Sequence, residues 1–219
     1  IHQDYATEAQ ASASAALGPA LDTLSRRIDL PHGGFVAWNA LDAERSAPVR
    51  ATLPPTLAVG GFRLIDASTA QEIAYQQDPD APGGIVFVAE DVPAYGWKAF
   101  RALPGAPASL GNAGLAVTAT TVENAAYRVT LDPSDGSVTS IVESASGREL
   151  VNAASAWRLG QSAWNSGSGA FWGVTPTADA PSTPRTSIVA SGPVLASLVV
   201  DRDATPAARM EIRLWRGLD

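Results

Sequence analysis

The sequence contains no cysteine and only two histidines among its 219 residues. Without cysteine, the chain has no disulfide bond, no thiolate nucleophile and no cysteine-ligated metal. The two histidines, His2 and His32, are too far apart in sequence to resemble the closely spaced pairs that bind catalytic zinc. The sequence therefore predicts no metal site and no cofactor in this chain.

Basic residues and long apolar runs are also scarce. The 15 lysines and arginines are outnumbered by 22 aspartates and glutamates, and the formal net charge is −7. Because nucleic-acid binding depends on clustered positive charge, we expect no nucleic-acid partner. No apolar run approaches the ~20 residues of a membrane-spanning helix, so we expect no membrane partner either.

Two features lead us to expect a piece of a longer protein. The chain begins with Ile1 rather than methionine, and it shows no signal-peptide pattern. Near its end, the alternating run Met210–Trp215 is not followed by a turn and a partner strand. We therefore expect an unpaired strand edge there, and such an edge is a template for a homodimer.

Signatures of catalysis are missing as well. The run Gly160–Trp164 approaches the Gly-x-Ser-x-Gly elbow of hydrolases but lacks its last glycine. Glycosidases hold two carboxylates around the scissile bond. Most acidic residues here lie in turns or beside strands, where capping and solvation account for them; Glu90 and Asp91 are the only adjacent pair of note. The sequence predicts no catalytic residue, and the chain alone is expected to be inactive.

One stretch, residues 3–28, has the spacing of an amphipathic helix. Apolar residues recur there at intervals of three and four, at Tyr5, Ala9, Ala13, Ala16, Leu17, Leu21, Leu24 and Ile28. Gly18 and Pro19 interrupt the stretch. Because proline removes an amide donor and clashes with the preceding turn, we expect a kink, or two helices with Pro19 near the start of the second.

From Phe35 onward, short β-prone runs alternate with turn residues. The predicted strands are Phe35–Asn39, Val49–Leu53, Phe62–Asp66, Ile85–Val92, Trp97–Ala102, Tyr127–Leu131, Val138–Val142, Arg148–Val151, Ile188–Ala190, Val194–Val200 and Met210–Trp215. Hairpins without intervening helices predict a mainly β fold of antiparallel β-sandwich domains after a short N-terminal helical segment. The expected division is a helical segment 1–29, a small β domain with a linker 30–112, and the first part of a larger sandwich 113–219.

An aromatic-rich stretch, 156–173, is the candidate for ligand binding. It places Trp157, Trp164 and Trp172 among glycines and serines. Indole rings stack on the apolar faces of sugars, and loops often carry binding sites. The same rings would also suit burial in a sandwich core or against a neighbouring domain. Both interpretations stay open, and the three tryptophans are the predicted ligand-binding residues.

Several segments, in order along the chain, resemble glycoside hydrolase family 38 α-mannosidases. The run Val122–Ile141, followed by Gly147–Leu150, resembles the opening of that family's large β-sandwich. Upstream, Val36–Leu41 resembles its Asn-Pro-Leu strand, although Ala40 replaces the usual proline. The run Val92–Trp97 looks like its valine-proline strand.

The resemblance implies a parent enzyme that is a zinc-dependent retaining α-mannosidase hydrolysing α-mannosides. The family's zinc ligands and aspartate nucleophile lie in an N-terminal domain upstream of the matched segments. His2 does not match the ligand motif, so no catalytic or metal-binding role is carried over to it. This chain would then be a non-catalytic C-terminal region that supports the missing catalytic domain, with zinc and carbohydrate bound by the parent.

Two alternatives remain from the sequence. The chain would otherwise be a stand-alone carbohydrate-binding β-sandwich module that uses the three tryptophans, or a structural β domain without a ligand. The predicted helix favours the α-mannosidase region, because a free-standing sandwich has little need for a detached helix with an apolar stripe to bury.

Overall fold

A computed structural model describes residues 2–30, 33–52, 61–155, 157–161, 163–164, 177–178, 183–203 and 209–219. The elements are α1 (His2–Ser25), β1 (Gly34–Asn39), β2 (Arg45–Thr52), β3 (Phe62–Asp66), β4 (Glu72–Ile73), β5 (Tyr75–Gln77), β6 (Gly84–Val92), β7 (Gly96–Pro104), β8 (Ala116–Val117), β9 (Thr121–Glu123), β10 (Tyr127–Leu131), β11 (Val138–Glu143), β12 (Arg148–Glu149), β13 (Ala163–Trp164), β14 (Thr177–Ala178), β15 (Arg185–Ser191), β16 (Leu195–Asp201) and β17 (Arg209–Trp215). The predicted class, mainly antiparallel β after one helical segment, is confirmed.

The N-terminal helix α1 is continuous through Pro19, so of the two expected outcomes the division into two helices is wrong, while a kink at Pro19 stays a prediction. Proline at this position removes only one helical hydrogen bond, and the alanine-rich flanks favour helix strongly. The Thr23 hydroxyl donates to the Pro19 carbonyl at 2.8 Å within the following turn. The helix also ends at Ser25, three residues before the predicted end. Among the described residues, no helix is long and apolar enough to cross a membrane.

The first β unit, β1–β7, is a sandwich of two antiparallel sheets. One sheet has the order β1-β7-β3-β4 and the other the order β2-β6-β5. Their facing sides bury one core, whose largest side chains are Phe62, Phe87 and Phe100. Because side chains alternate along a strand, β6 presents Ile85 and Phe87 to this core and turns Val86 to its other face.

The second β unit, β8–β17, contains a five-stranded sheet, β12-β11-β10-β9-β8, and a three-stranded sheet, β15-β16-β17. Val122, Val129, Leu131, Leu198 and Val200 lie in the core between them. The hairpin predicted at Tyr127–Leu131 is confirmed, since β10 pairs antiparallel with β11. β13 and β14 form a separate two-stranded sheet.

The last strand, β17, has a partner, which the sequence analysis did not expect. It pairs antiparallel along its length with β16, the strand before it. The hairpin is therefore completed upstream rather than downstream of the run. In the sheet order β15-β16-β17 the strand lies at an edge. Pairing of that edge with a second copy of the chain stays a prediction.

The two β units pack against each other through a junction cluster, defined here as Val86, Val88, Val194, Ala74, Trp215 and Leu218. Val86 and Val194 are fully buried in it. Strand β6 is therefore covered on both faces, by the first core and by the second unit. A strand buried on both faces needs successive apolar residues, as Ile85–Ala89 provides.

Candidate functional site

The three predicted tryptophans are placed unequally. Trp157 is 43% exposed, and its backbone amide donates to the Ser155 hydroxyl at 3.2 Å. The backbone of Trp164 lies in β13, opposite Thr177 of β14. Trp172 lies outside the described residues. A sugar-binding role for the three stays a prediction.

The adjacent acidic pair Glu90 and Asp91 has local structural contacts. Glu90 accepts a hydrogen bond from Lys98 Nζ at 2.9 Å through its backbone carbonyl, not its carboxylate. The backbone amide of Asp91 donates to the Ser46 hydroxyl at 3.0 Å. Asp91 also has a φ of 51°, which fits a bulge in the pairing of β2 with β6. The Lys98 contact links β6 to β7, the Ser46 contact links β6 to β2, and neither contact brings the two carboxylates together.

The two aspartates of the turn between β10 and β11 share one arginine. Asp132 and Asp135 both accept from Arg158 Nη1, at 2.7 and 2.9 Å. Hydrogen bonds from Ser134, and then from Arg158, lower the pKa of Asp132 from 3.8 to about 2. A glycosidase acid must instead stay protonated near neutral pH. The arrangement therefore suits the stability of the turn and not proton donation.

A charge network crosses the junction between the two β units. Asp80, in the loop between β5 and β6, receives two hydrogen bonds from Arg213 of β17, at 2.7 and 2.9 Å. Arg50 of β2 reaches the same carboxylate at 2.5 Å. Arg213 is held in turn by Glu211, at 2.7 Å. The Asp80 carboxylate thus links arginines from both units. Its bidentate pair with Arg213 constrains the relative orientation of the two side chains as well as neutralising their charges.

This network predicts a loss of stability in acid. Hydrogen bonds from Arg213, and then from Arg50, lower the pKa of Asp80 from 3.8 to about 2. Because the folded-state pKa lies below the unfolded one, the contribution is present above about pH 4 and is lost as pH falls towards about 2. Asp80→Asn should therefore melt at a lower temperature than the natural chain at neutral pH, and the gap should close in strong acid.

Thermal melts at stepped pH values test this expectation. Asp42→Asn is the matched control, because Asp42 is exposed and its carboxylate has no partner among the described residues. This control should follow the natural chain at every pH. A gap between Asp80→Asn and the natural chain that stays constant down to about pH 2 would contradict the assignment.

An aromatic surface on the first β unit was not predicted from the sequence. Trp97 of β7 is 44% exposed and lies opposite Trp38 of β1, with ring centroids 6.3 Å apart. Trp38 Nε1 donates to the Ser25 hydroxyl at the end of α1, at 3.3 Å. A cleft of about 370 Å³ lies beside Trp97, between β7 and residues 28–30. The sequence carried one sign of this surface: Trp97, Ala99 and Arg101 stand at every second position of one strand and therefore share a face.

No metal-binding group is present in the part of the chain that the structure describes. No three side chains of histidine, aspartate or glutamate gather there in a way that would hold an ion. Asp132 and Asp135, for example, share one arginine, Arg158, instead.

No protein-family model matches the sequence, and no curated protein matches it. The fold is similar to part of an α-mannosidase from Enterococcus faecalis V583, with a TM-score of 0.53 and 15% identity over 84% of this chain and 25% of that chain. A protein in glycosyl hydrolase family 38 from Enterococcus faecalis matches with a TM-score of 0.43 and 13% identity over 77% of this chain and 24% of that one.

This chain therefore spans about a quarter of the length of each solved structure. The first of these structures, with a TM-score of 0.53 and 15% identity, shows a similarity of fold. At that level, the resemblance to family 38 α-mannosidases drawn from the sequence motifs is confirmed.

Proposed function

We propose that this chain is a non-catalytic β region of a zinc-dependent retaining α-mannosidase, and that it supports a catalytic domain lying outside it. The observation that carries the proposal is the fold similarity to an α-mannosidase, which extends over 84% of this chain but 25% of that one. A region that fills a quarter of such an enzyme leaves room for a separate domain that performs the chemistry.

The residues of this chain do not fit the zinc site of such an enzyme. The sequence supplies no cysteine and two histidines. Several carboxylates of the described residues, such as those of Asp80 and Asp132, are engaged by arginines, hydroxyls and backbone amides. Zinc ligands must be deprotonated and free to converge on one ion. The metal of the proposed parent would be held by the domain outside this chain.

Helix α1 offers a surface for that domain. Tyr5, Leu17 and Leu24 of its apolar stripe are 66%, 58% and 46% exposed. A helix with one apolar stripe normally buries that stripe against a neighbour. The described part of the chain leaves most of this stripe uncovered, which supports its use as a contact with the proposed catalytic domain.

If helix α1 contacts the proposed catalytic domain, a substitution on its apolar stripe should affect the stability of the longer protein more than that of this chain alone. Leu17→Asp should change the stability of the isolated chain by less than about 0.5 kcal/mol, because the side chain is exposed. In the longer polypeptide encoded with its upstream sequence, the same change should reduce stability by about 2 kcal/mol, because a buried leucine is replaced by a charge. Urea unfolding of both proteins measures the difference.

Ala15→Asp is the matched control for this experiment. Two residues before Leu17, it lies on the far side of a helix with 3.6 residues per turn, and it is also exposed. It should leave both proteins unchanged within about 0.5 kcal/mol. If the two substitutions lowered the stability of the longer polypeptide equally, the proposed contact would be contradicted.

A further inference from the structure

The outer face of β7 forms the floor and ends of the cleft beside Trp97. Alternate residues along a strand share a face, so Trp97, Ala99 and Arg101 lie in a row on the side opposite the core residue Phe100. At ~3.3 Å per residue, the Cα atoms of Trp97 and Arg101 are about 13 Å apart. The small side chain of Ala99 between them leaves a depression bounded by an indole ring and a guanidinium group.

Two other segments complete the walls. Residues 28–30, which follow α1, lie along one side of the depression, and Ala67 and Ser68 from the turn after β3 lie along another. Together they enclose about 370 Å³. A cleft of this size is at the small end of ligand-binding sites, which suits one ring rather than an extended molecule.

The aromatic wall is held in position. The ring of Trp38 packs beside Trp97 at a tilt of 52°, and its own Nε1 is fixed by the Ser25 hydroxyl. Trp97 still exposes 44% of its surface. An indole that is supported on one side and open on the other can accept an apolar ligand face without first being ordered.

Of the charged groups at the cleft, one hydrogen-bond donor, Arg101, and one acceptor, Asp29, are available to a ligand. Lys98 is engaged, because its Nζ pairs with Asp66 at 2.9 Å and donates to the Glu90 carbonyl. The guanidinium of Arg101 and the carboxylate of Asp29 have no hydrogen-bond or ion-pair partner within the described ranges. The positive groups Lys98 and Arg101 are therefore balanced by the negative groups Asp29 and Asp66. The cleft has no net charge that would attract an ion.

We propose that this cleft binds a single neutral hexose unit of a glycan. The apolar face of the sugar ring would lie on Trp97, while its hydroxyls would accept from Arg101 and donate to Asp29. An anion would be repelled by Asp29, and a purely apolar ligand would leave Arg101 and Asp29 desolvated without partners. The inference goes beyond the function proposed above, because it rests only on residues of this chain.

Titration of the chain with methyl α-D-mannopyranoside, followed by ¹H–¹⁵N NMR, tests the inference. We expect saturable shifts of the tryptophan indole signals with weak, millimolar affinity. Trp97→Ala and Arg101→Gln should each weaken binding at least about tenfold, since each removes one of the two main contacts. Arg101 is exposed and carries no side-chain bond within the described chain, so Arg101→Gln should fold normally.

Leu150→Ala is the matched control, because the apolar side chain of Leu150 is exposed to the same extent as that of Trp97, at 45%, and lies on the second β unit. It should bind the sugar as the natural chain does. Absence of saturable binding, or binding that persists in both cleft variants, would overturn the inference. Loss of binding in a Trp157→Ala variant alone would overturn it too and would move the sugar site to the tryptophan-rich stretch. None of these outcomes affects hydrolysis by the proposed parent, which is measured separately.

Discussion

Replacing Asn124 with alanine is expected to lower the free energy of unfolding by about 4 kcal/mol, the largest effect that we predict for a single side chain. Asn124 is 4% exposed and satisfies four backbone groups. Its Nδ2 donates to the carbonyls of Trp215 and Leu218, at 3.0 and 2.8 Å. Its Oδ1 accepts from the amides of Ala126 and Tyr127, at 2.9 and 2.7 Å. Alanine would leave these part-buried groups without their side-chain partner.

The effect should reach beyond the position of Asn124 itself. Trp215 and Leu218 belong to the junction cluster, so loss of their anchor loosens the contact between the two β units. Asn152→Ala is the matched control, because Asn152 is exposed and its side chain accepts one described hydrogen bond, from the backbone amide of Ala154. We expect this control to cost less than about 1 kcal/mol in urea unfolding. Equal destabilisation by the two substitutions would contradict the proposed role of Asn124.

Gln76→Leu is expected to destabilise the chain by about 3 kcal/mol. Gln76 is the middle residue of the short strand β5 of the first unit, yet its Oε1 accepts from the amides of Val194 and Leu195 in the second unit, both at 2.9 Å. Those two residues are fully buried. Leucine has a similar size but no acceptor, so both amides would be desolvated without a bond. Differential scanning calorimetry should show a lower transition temperature.

Gln77→Leu provides the matched control one residue away. Gln77 is exposed at the end of the same strand, and its side chain makes no described bond. Its melting curve should coincide with that of the natural chain. If Gln76 couples the units, Gln76→Leu should also separate one transition into two, with the units unfolding at different temperatures. A single unshifted transition in Gln76→Leu would contradict the coupling.

Some of the fold was predictable because local sequence determines it. The hairpin of β10 and β11 was predicted from alternating apolar residues on both sides of the turn Asp132–Gly136, and the structure confirms it. Gly136 has a φ of 70° there, a conformation that favours glycine. The apolar run at Ile85–Val92 likewise predicted β6, although not that both its faces are buried.

Other features were missed, because some strands are too short to show a pattern of their own and some contacts join residues that are distant in sequence. Strands β4, β5, β8 and β9 are two or three residues long and exist because longer neighbours pair with them. Strand β2 contains Pro48, which the sequence analysis placed before its start. Proline is tolerated there because β2 lies at a sheet edge. Gln76 carried no local signal, since its partners are 118 and 119 residues away.

The binding surface was missed for a similar reason. Composition drew attention to tryptophans that cluster in sequence, between Trp157 and Trp172. Trp97 instead meets Trp38, across 59 residues of chain, only after β1 and β7 have paired. Strand alternation could have placed Trp97 and Arg101 on one face, but residues 28–30 reach that face through the tertiary fold.

Hydrolysis of an aryl α-mannoside, measured side by side for this chain and for the longer polypeptide encoded with its upstream sequence, tests the central claim most directly. The account predicts zinc-dependent turnover by the longer polypeptide. It predicts no turnover by this chain, with or without added zinc. Turnover by the purified chain that survives removal of contaminating enzymes would contradict the claim, because the chemistry would then reside in residues to which we assign only support.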